Sequence, residues 1–327
     1  MDLFTEWRSG GSELRWRSTT PSNRGAEVTV FARRAGTPGA PALVCVHGFP
    51  TSSFDFGQLT RQLGGEFDIH LLDFPGYGLS DKPPAPYEYS LYDDARLLVH
   101  AITERWALRD YTMLTHDRGD SVGMIALELL TAEYPGSLPA QLIITNGNVY
   151  LPLSNLTAFQ RALLDDTTAR ATAAAVTPEM LAAGLGQSAF MPRRAADDPE
   201  IIALAQLFAH HDGVAVLPDT IRYLHERAAG ETGWLESLAR SGVDTTLVWG
   251  LHDTIAPLRV ASHVWHGYLR DKPGRNRFWV LPGADHYPQC DAPAQLADLV
   301  RLTRDEVQLT FQTLGDRPDG AVLVEYT

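Results

Sequence analysis

The chain has 327 residues, 44% of them hydrophobic and 20% charged, with a formal net charge of −13. That length and composition suit one large α/β domain or two small ones with a sizeable core, and the acidic balance, with no basic stripe, argues against a nucleic-acid partner. Two cysteines, Cys45 and Cys290, make no disulfide framework. No apolar run reaches the ~18 residues of a membrane-spanning helix, and "MDLFTEWRSG" has no apolar leader core, so a cytoplasmic location is the expectation.

In chain order, "EVTVFARR" (27–34) alternates as a strand does, and "PALVCVHG" (41–48) and "FDIHLLDFPG" (67–76) read as buried strands closed by Gly or Pro-Gly. "SLYDDARLLVHAITERW" (90–106) has helical spacing, with Ser90 placed to cap it. A short strand, "YTMLT" (111–115), precedes a helix over 121–135 that ends at Pro135. Strands follow at 140–147, 245–250 and 277–283. Alternating strands and helices predict a mostly parallel, eight-stranded sheet with helices on both faces. Residues 150–240 break the rhythm: they are Ala-rich, helix-prone and without strand-like runs. They predict a helical cap inserted between a first core part (1–149) and a second (241–327). The tail "GDRPDGAVLVEYT" either adds a short strand or hangs loose.

"THDRGDSVG" (115–123) can be read as an active site in two ways. T-H-D-R-G puts Asp117 at the point of a strand-to-helix turn, whereas G-D-S-V-G puts Ser121 there as in serine hydrolases. For Ser121 the strand must run on through His116, Asp117, Arg118 and Gly119. A central parallel strand is buried on both faces and apolar throughout, so unpaired charges there cost several kcal/mol, an order-of-magnitude figure. Asp117 is therefore the expected nucleophile, with Ser121 one helical turn on. "HGFP" (47–50) offers the Phe49 N–H and the elbow offers the Arg118 N–H as an anion hole. Asp253 in "GLHDTIAP" and His286 in "GADHYPQ" follow the strands at 245–250 and 277–283. All three side chains thus fall at the C-terminal ends of strands, where ligand sites of open α/β sheets lie.

The pieces "HGFPTSSFDF", "DFPGYGLSDKP", "THDRGD", "GLHDTIAP" and "GADHYPQCDAP" resemble the α/β-hydrolase fold, in its epoxide hydrolase and haloalkane dehalogenase branch. "HDRGD", "ITNG" and "DTIRYLHERAAGETGW" also resemble the mesoderm-specific transcript proteins. The resemblance implies covalent catalysis. Asp117 attacks an sp3 carbon, and His286, oriented by Asp253, activates water against the resulting ester. The expected substrate is an apolar small molecule, with no cofactor, and the histidines form no zinc pattern. In "HH" (210–211) the adjacent rings are expected to point apart.

Dehalogenases of the branch carry a Trp after the nucleophile and often an Asn after the H-G pair; here Arg118 and Phe49 stand there. Epoxide opening draws on a pair of cap tyrosines. Tyr223 matches the second of them, and Tyr150, His210 and His211 are candidates for the first. Arg118 also resembles the "HDRG" of fluoroacetate-type dehalogenases, whose second arginine falls at Ser121; Arg118 is otherwise expected to pair with Asp120 or a cap residue. Tyr150 and Ser121 are the candidate substrate contacts. An epoxide hydrolase is the leading reading. A haloalkane or haloacid dehalogenase, a serine esterase acting through Ser121, and a non-catalytic binding homologue stay open.

Overall fold

A computed structural model describes residues 1–23, 25–304 and 320–327. Nine strands form one sheet in the order β1-β2-β4-β3-β5-β6-β7-β8-β9. They are β1 (Gly11–Arg17), β2 (Glu27–Gly36), β3 (Ala42–Val46), β4 (Asp68–Leu72), β5 (Tyr111–His116), β6 (Gln141–Thr145), β7 (Asp244–Gly250), β8 (Asn276–Leu281) and β9 (Val322–Tyr326). The run from β4 through β3 to β8 is parallel, and β1, β2 and β9 join antiparallel. The sheet is thus one strand larger than the eight expected. Gly11–Arg17 carries the extra strand: Leu14 and Trp16 turn inward and their neighbours outward, a period-two signal that two residues leave faint. Of the tail, Val322–Tyr326 forms the added strand, while 315–319 lie outside the described residues.

The parallel strands are buried throughout apart from Asp244, half-buried at the start of β7, as sheets covered on both faces require. The covering helices are α1 (Leu3–Ser9), α2 (Gly57–Leu63), α3 (Leu91–His100) and α4 (Arg118–Glu133), then α11 (Leu258–Val264), α12 (Pro288–Asp291) and α13 (Pro293–Arg304). Ser90 caps α3 by accepting from the Tyr92 N–H. Helix α4 starts three residues earlier than expected, so Ser121 already lies in its first turn.

Between β6 and β7 the chain is helical wherever it is regular: α5 (Ala158–Leu164), α6 (Ala169–Ala174), α7 (Pro178–Ser188), α8 (Pro199–Ala209), α9 (Leu217–Thr220) and α10 (Tyr223–Arg240). Helix α10 is bolted to the core. Glu226 accepts from the Ser90 hydroxyl at 2.7 Å and the Leu91 N–H at 2.6 Å, at the start of α3. Within the cap, Glu231 accepts from the Leu151 N–H at 2.8 Å, tying α10 to the segment that enters from β6. No single helix of the described residues is long and apolar enough to cross a membrane.

Candidate active site

Strand β5 delivers the chain to Asp117, which sits at φ 51°, ψ −112° and forms the N-terminal boundary of α4. A non-glycine residue in that region is strained, at a cost of order 1–3 kcal/mol. The strain aims the side chain out of the strand-to-helix turn. Small residues make the turn possible: a Cβ on Gly119 would stand 2.4 Å from the Val46 carbonyl oxygen, and one on Gly48 would stand 2.6 Å from Cβ of Asp117. Gly123 lets α4 approach Thr115, whose methyl would meet an added Cβ at 2.7 Å.

Asp117 is buried, and its Oδ2 accepts the Phe49 N–H at 3.0 Å. His286 Nδ1 and Asp253 Oδ2 are 2.9 Å apart. Asp253 Oδ1 accepts the N–H groups of Ile255 and Ala256 at 2.7 and 2.9 Å. Asn146 was not singled out from the sequence. It donates to Asp253 Oδ2 at 2.8 Å and accepts the Gly250 N–H at 2.9 Å. The loop after β6 thus carries no carboxylate at this point, but through Asn146 it clamps the Asp253 carboxylate after β7. Burial alone would lower the His286 pKa. The Asp253 carboxylate, helped by Asp117 and Asp285, overrides it and raises the imidazole to about 9. Burial would likewise raise Asp253, yet the His286 charge, Asn146 and the Ala256 N–H hold it below its ordinary value. No direct hydrogen bond joins Asp117 to His286 among the described contacts, though His286 feels the Asp117 charge.

Tyr223 starts α10 with its ring 5.8 Å from that of Phe49. Its hydroxyl is buried and has no hydrogen-bond partner. Burial and then the nearby Asp117 charge push its pKa up, while the guanidiniums of Arg227 and Arg118 pull it back. Both cations lie over the ring, at 4.9 and 5.5 Å from its centre.

Four expectations are corrected. The Arg118 guanidinium is buried and pairs with Asp94 of α3, not with Asp120 or a cap residue. Asp120 instead accepts the Thr115 hydroxyl, and burial lifts its pKa well above the carboxylate range. Tyr150 stacks on His263, ring centres 4.1 Å apart, and does not line the cavity between cap and core. Ser121, expected to contact substrate, is instead buried with its Oγ accepting from Arg227 Nε at 3.0 Å, and it does not line the cavity between cap and core. His210 and His211 stack on each other at 4.0 Å instead of pointing apart, and His211 approaches Asp81, so neither serves the site.

Two further residues went unread. His116, immediately before Asp117, packs 5.1 Å from the His286 ring, and burial holds it neutral. Arg227 lies one turn beyond Tyr223, and that spacing of four was its only signal. A cavity of about 450 Å³ opens between cap and core. Its wall is largely apolar, formed by Phe159, Val176, Leu181, Leu185 and Ile255, and His286 and Phe49 close its inner end. Asp117 and Tyr223 do not line it, but both contact Phe49, which does. No group of three or more His, Cys, Asp or Glu side chains among the described residues could hold a metal.

A family model described as "Alpha/beta hydrolase family" matches residues 43–299. The putative hydrolase LipZ of Mycobacterium tuberculosis is 33% identical over 296 residues, covering 90% of this chain and 95% of its own. The mesoderm-specific transcript protein of Mus musculus is 26% identical over 263 residues, covering 79% and 77%. The solved structure of the haloalkane dehalogenase DbeA from Bradyrhizobium elkani superposes with a TM-score of 0.68 at 18% identity, covering 89% of this chain and 96% of that one; such a likeness shows the fold alone. With the parallel sheet, the elbow after β5 and the inserted cap, these matches make the chain a member of the α/β-hydrolase family and a hydrolase.

Proposed function

We propose that the chain opens epoxides through a covalent ester on Asp117. The observation that carries the reading is the strained elbow, with Asp117 rather than Ser121 at its point and its Oδ2 already on the Phe49 N–H. The other carboxylate oxygen, Oδ1, attacks an epoxide carbon and the ring C–O bond breaks. The departing alkoxide takes the Tyr223 proton, and the two guanidiniums over the ring stabilise the phenolate.

Forming the ester removes the Asp117 charge, one of the groups that hold His286 at about 9. His286 therefore becomes more readily neutral and able to act as a base at the step that needs one. It takes a proton from water, and the hydroxide adds to Asp117 Cγ. The developing charge falls on Oδ2, where the Phe49 N–H already points. Collapse expels the diol oxygen, which takes the proton from His286. The acid left on Asp117 returns its proton to the Tyr223 phenolate.

Halide departure is less well served, because no indole N–H stands at position 118 and the Arg118 side chain is engaged by Asp94. An esterase is disfavoured because Ser121 faces a cation in place of a base. The test is intact-protein mass of His286→Gln after exposure to styrene oxide. The expected result is one adduct of the epoxide's mass, mapped to Asp117. Wild-type turnover with no adduct, or with an adduct elsewhere, would count against the reading.

A further inference from the structure

Arg227 is 0% exposed. Its Nη2 donates to the backbone carbonyl of Asp117 at 3.1 Å and its Nε to Ser121 Oγ at 3.0 Å. Its charge also lies over the Tyr223 ring on the same helix, 4.9 Å from the centre. No carboxylate forms an ion pair with it among the described residues, although Arg118, the other buried cation here, has Asp94. A buried guanidinium is costly to desolvate; the Asp120 and Glu231 carboxylates act on it through space, but each spends its hydrogen bonds elsewhere, on the Thr115 hydroxyl and the Leu151 N–H. Its Nη1 makes no hydrogen bond, so its hydrogen-bonding is spent on the elbow and on the residue one turn into α4. Glu226, next to it on α10, already fastens the helix to the start of α3 through Ser90 and Leu91, so the cap's attachment does not rest on Arg227 alone.

We propose that Arg227 is a positioning residue: one guanidinium fixes the Asp117 elbow against the cap helix carrying Tyr223, and so sets the separation of nucleophile and proton donor. The inference rests on the epoxide-opening reading. Alkylation needs Asp117 on one side of the epoxide while the Tyr223 hydroxyl meets its oxygen on the other. A displacement of about 1 Å between such groups can cost a hundredfold in rate.

The experiment is steady-state and single-turnover kinetics on styrene oxide for the wild type, Arg227→Met, Arg227→Lys and Tyr223→Phe, and the Tyr223→Phe/Arg227→Met double variant. Arg222→Ala is the control, an exposed position on the cap that pairs with Asp166. Expected for Arg227→Met is a kcat loss of about a hundredfold in the alkylation step, with KM changed far less. Arg227→Lys should recover part of it, and Arg222→Ala should match the wild type. In the Tyr223→Phe background the Arg227→Met loss should shrink to a few-fold, because the two residues act together. A native kcat in Arg227→Met overturns the proposal, and so does the same fold-loss in both backgrounds, which marks a general structural role. If Arg227→Met fails to fold, Arg227→Lys and Arg227→Gln carry the same comparison. A wild type that does not consume styrene oxide overturns the epoxide reading itself, and this inference with it.

Discussion

Asp253→Asn separates the two chemical steps and tests the electrostatics of the site together. The His286 imidazole stands at about 9 against an ordinary 6.5, and Asp253 is the main group raising it. At about 1.4 kcal/mol per tenfold change in ionisation, the raised imidazolium is worth about 3 kcal/mol to the folded state. Because the folded value lies above the unfolded one, this contribution is fully present below pH 6.5 and is lost as pH rises through about 9. Urea unfolding of wild type and variant should therefore differ by about 2–3 kcal/mol near pH 6 and converge by about pH 10. Kinetically, the proposed alkylation, which draws on Asp117 and Tyr223, should survive. Ester hydrolysis loses an oriented base and should slow by about 10²–10⁴-fold. A burst of alkyl-enzyme followed by stalling, read by rapid-quench mass spectrometry, is the expected trace. A stability gap that stays flat from pH 6 to 10, or a variant with full turnover, would refute the assignment of the acid.

Tyr223→Phe should lose about 2–4 kcal/mol of transition-state stabilisation in epoxide opening, a loss of kcat of about 30- to 1,000-fold; unchanged opening would remove the donor from the mechanism. Asp117→Ala should abolish turnover, whereas Ser121→Ala should change kcat by less than about tenfold, since it removes one of two hydrogen bonds from Arg227; the reverse order of effects in rate assays, or phosphonate labelling at Ser121, would restore the esterase. Gly119→Ala should push α4 off the Val46 carbonyl and lower the unfolding free energy by about 1–3 kcal/mol in urea melts, with activity lost in the folded fraction. Full activity there would mean that the elbow tolerates a shift that its packing forbids.

Much of the candidate site's placement is legible in the sequence because its parts recur at strand ends. Asp117, Asp253 and His286 each follow an apolar run with a turn signal, and parallel strands bring such ends together. The choice of Asp117 over Ser121 followed from the cost of running a buried strand through charges, and α4 does begin at Arg118. Strand β1 was missed because only Leu14 and Trp16 mark its inward face. The fates of the Arg118 and Tyr150 side chains depend on partners, Asp94 and His263, that lie 24 and more than 100 residues away. No local pattern encodes such pairings. Asn146 and Arg227 share the same blindness: each acts on a group from another part of the chain, and their residue types alone read as a turn and a solvated cap face.

The central claim is that Asp117 becomes covalently bonded to the substrate. A single turnover with excess enzyme in ¹⁸O-labelled water tests it most directly. If Asp117 Oδ1 attacks carbon and water then attacks Cγ, the diol released in the first turnover carries unlabelled oxygen. The peptide containing Asp117 gains one ¹⁸O. Label appearing directly in the first-turnover diol, with the Asp117 peptide unchanged, would contradict the covalent mechanism and leave Asp117 at most a base for direct attack by water.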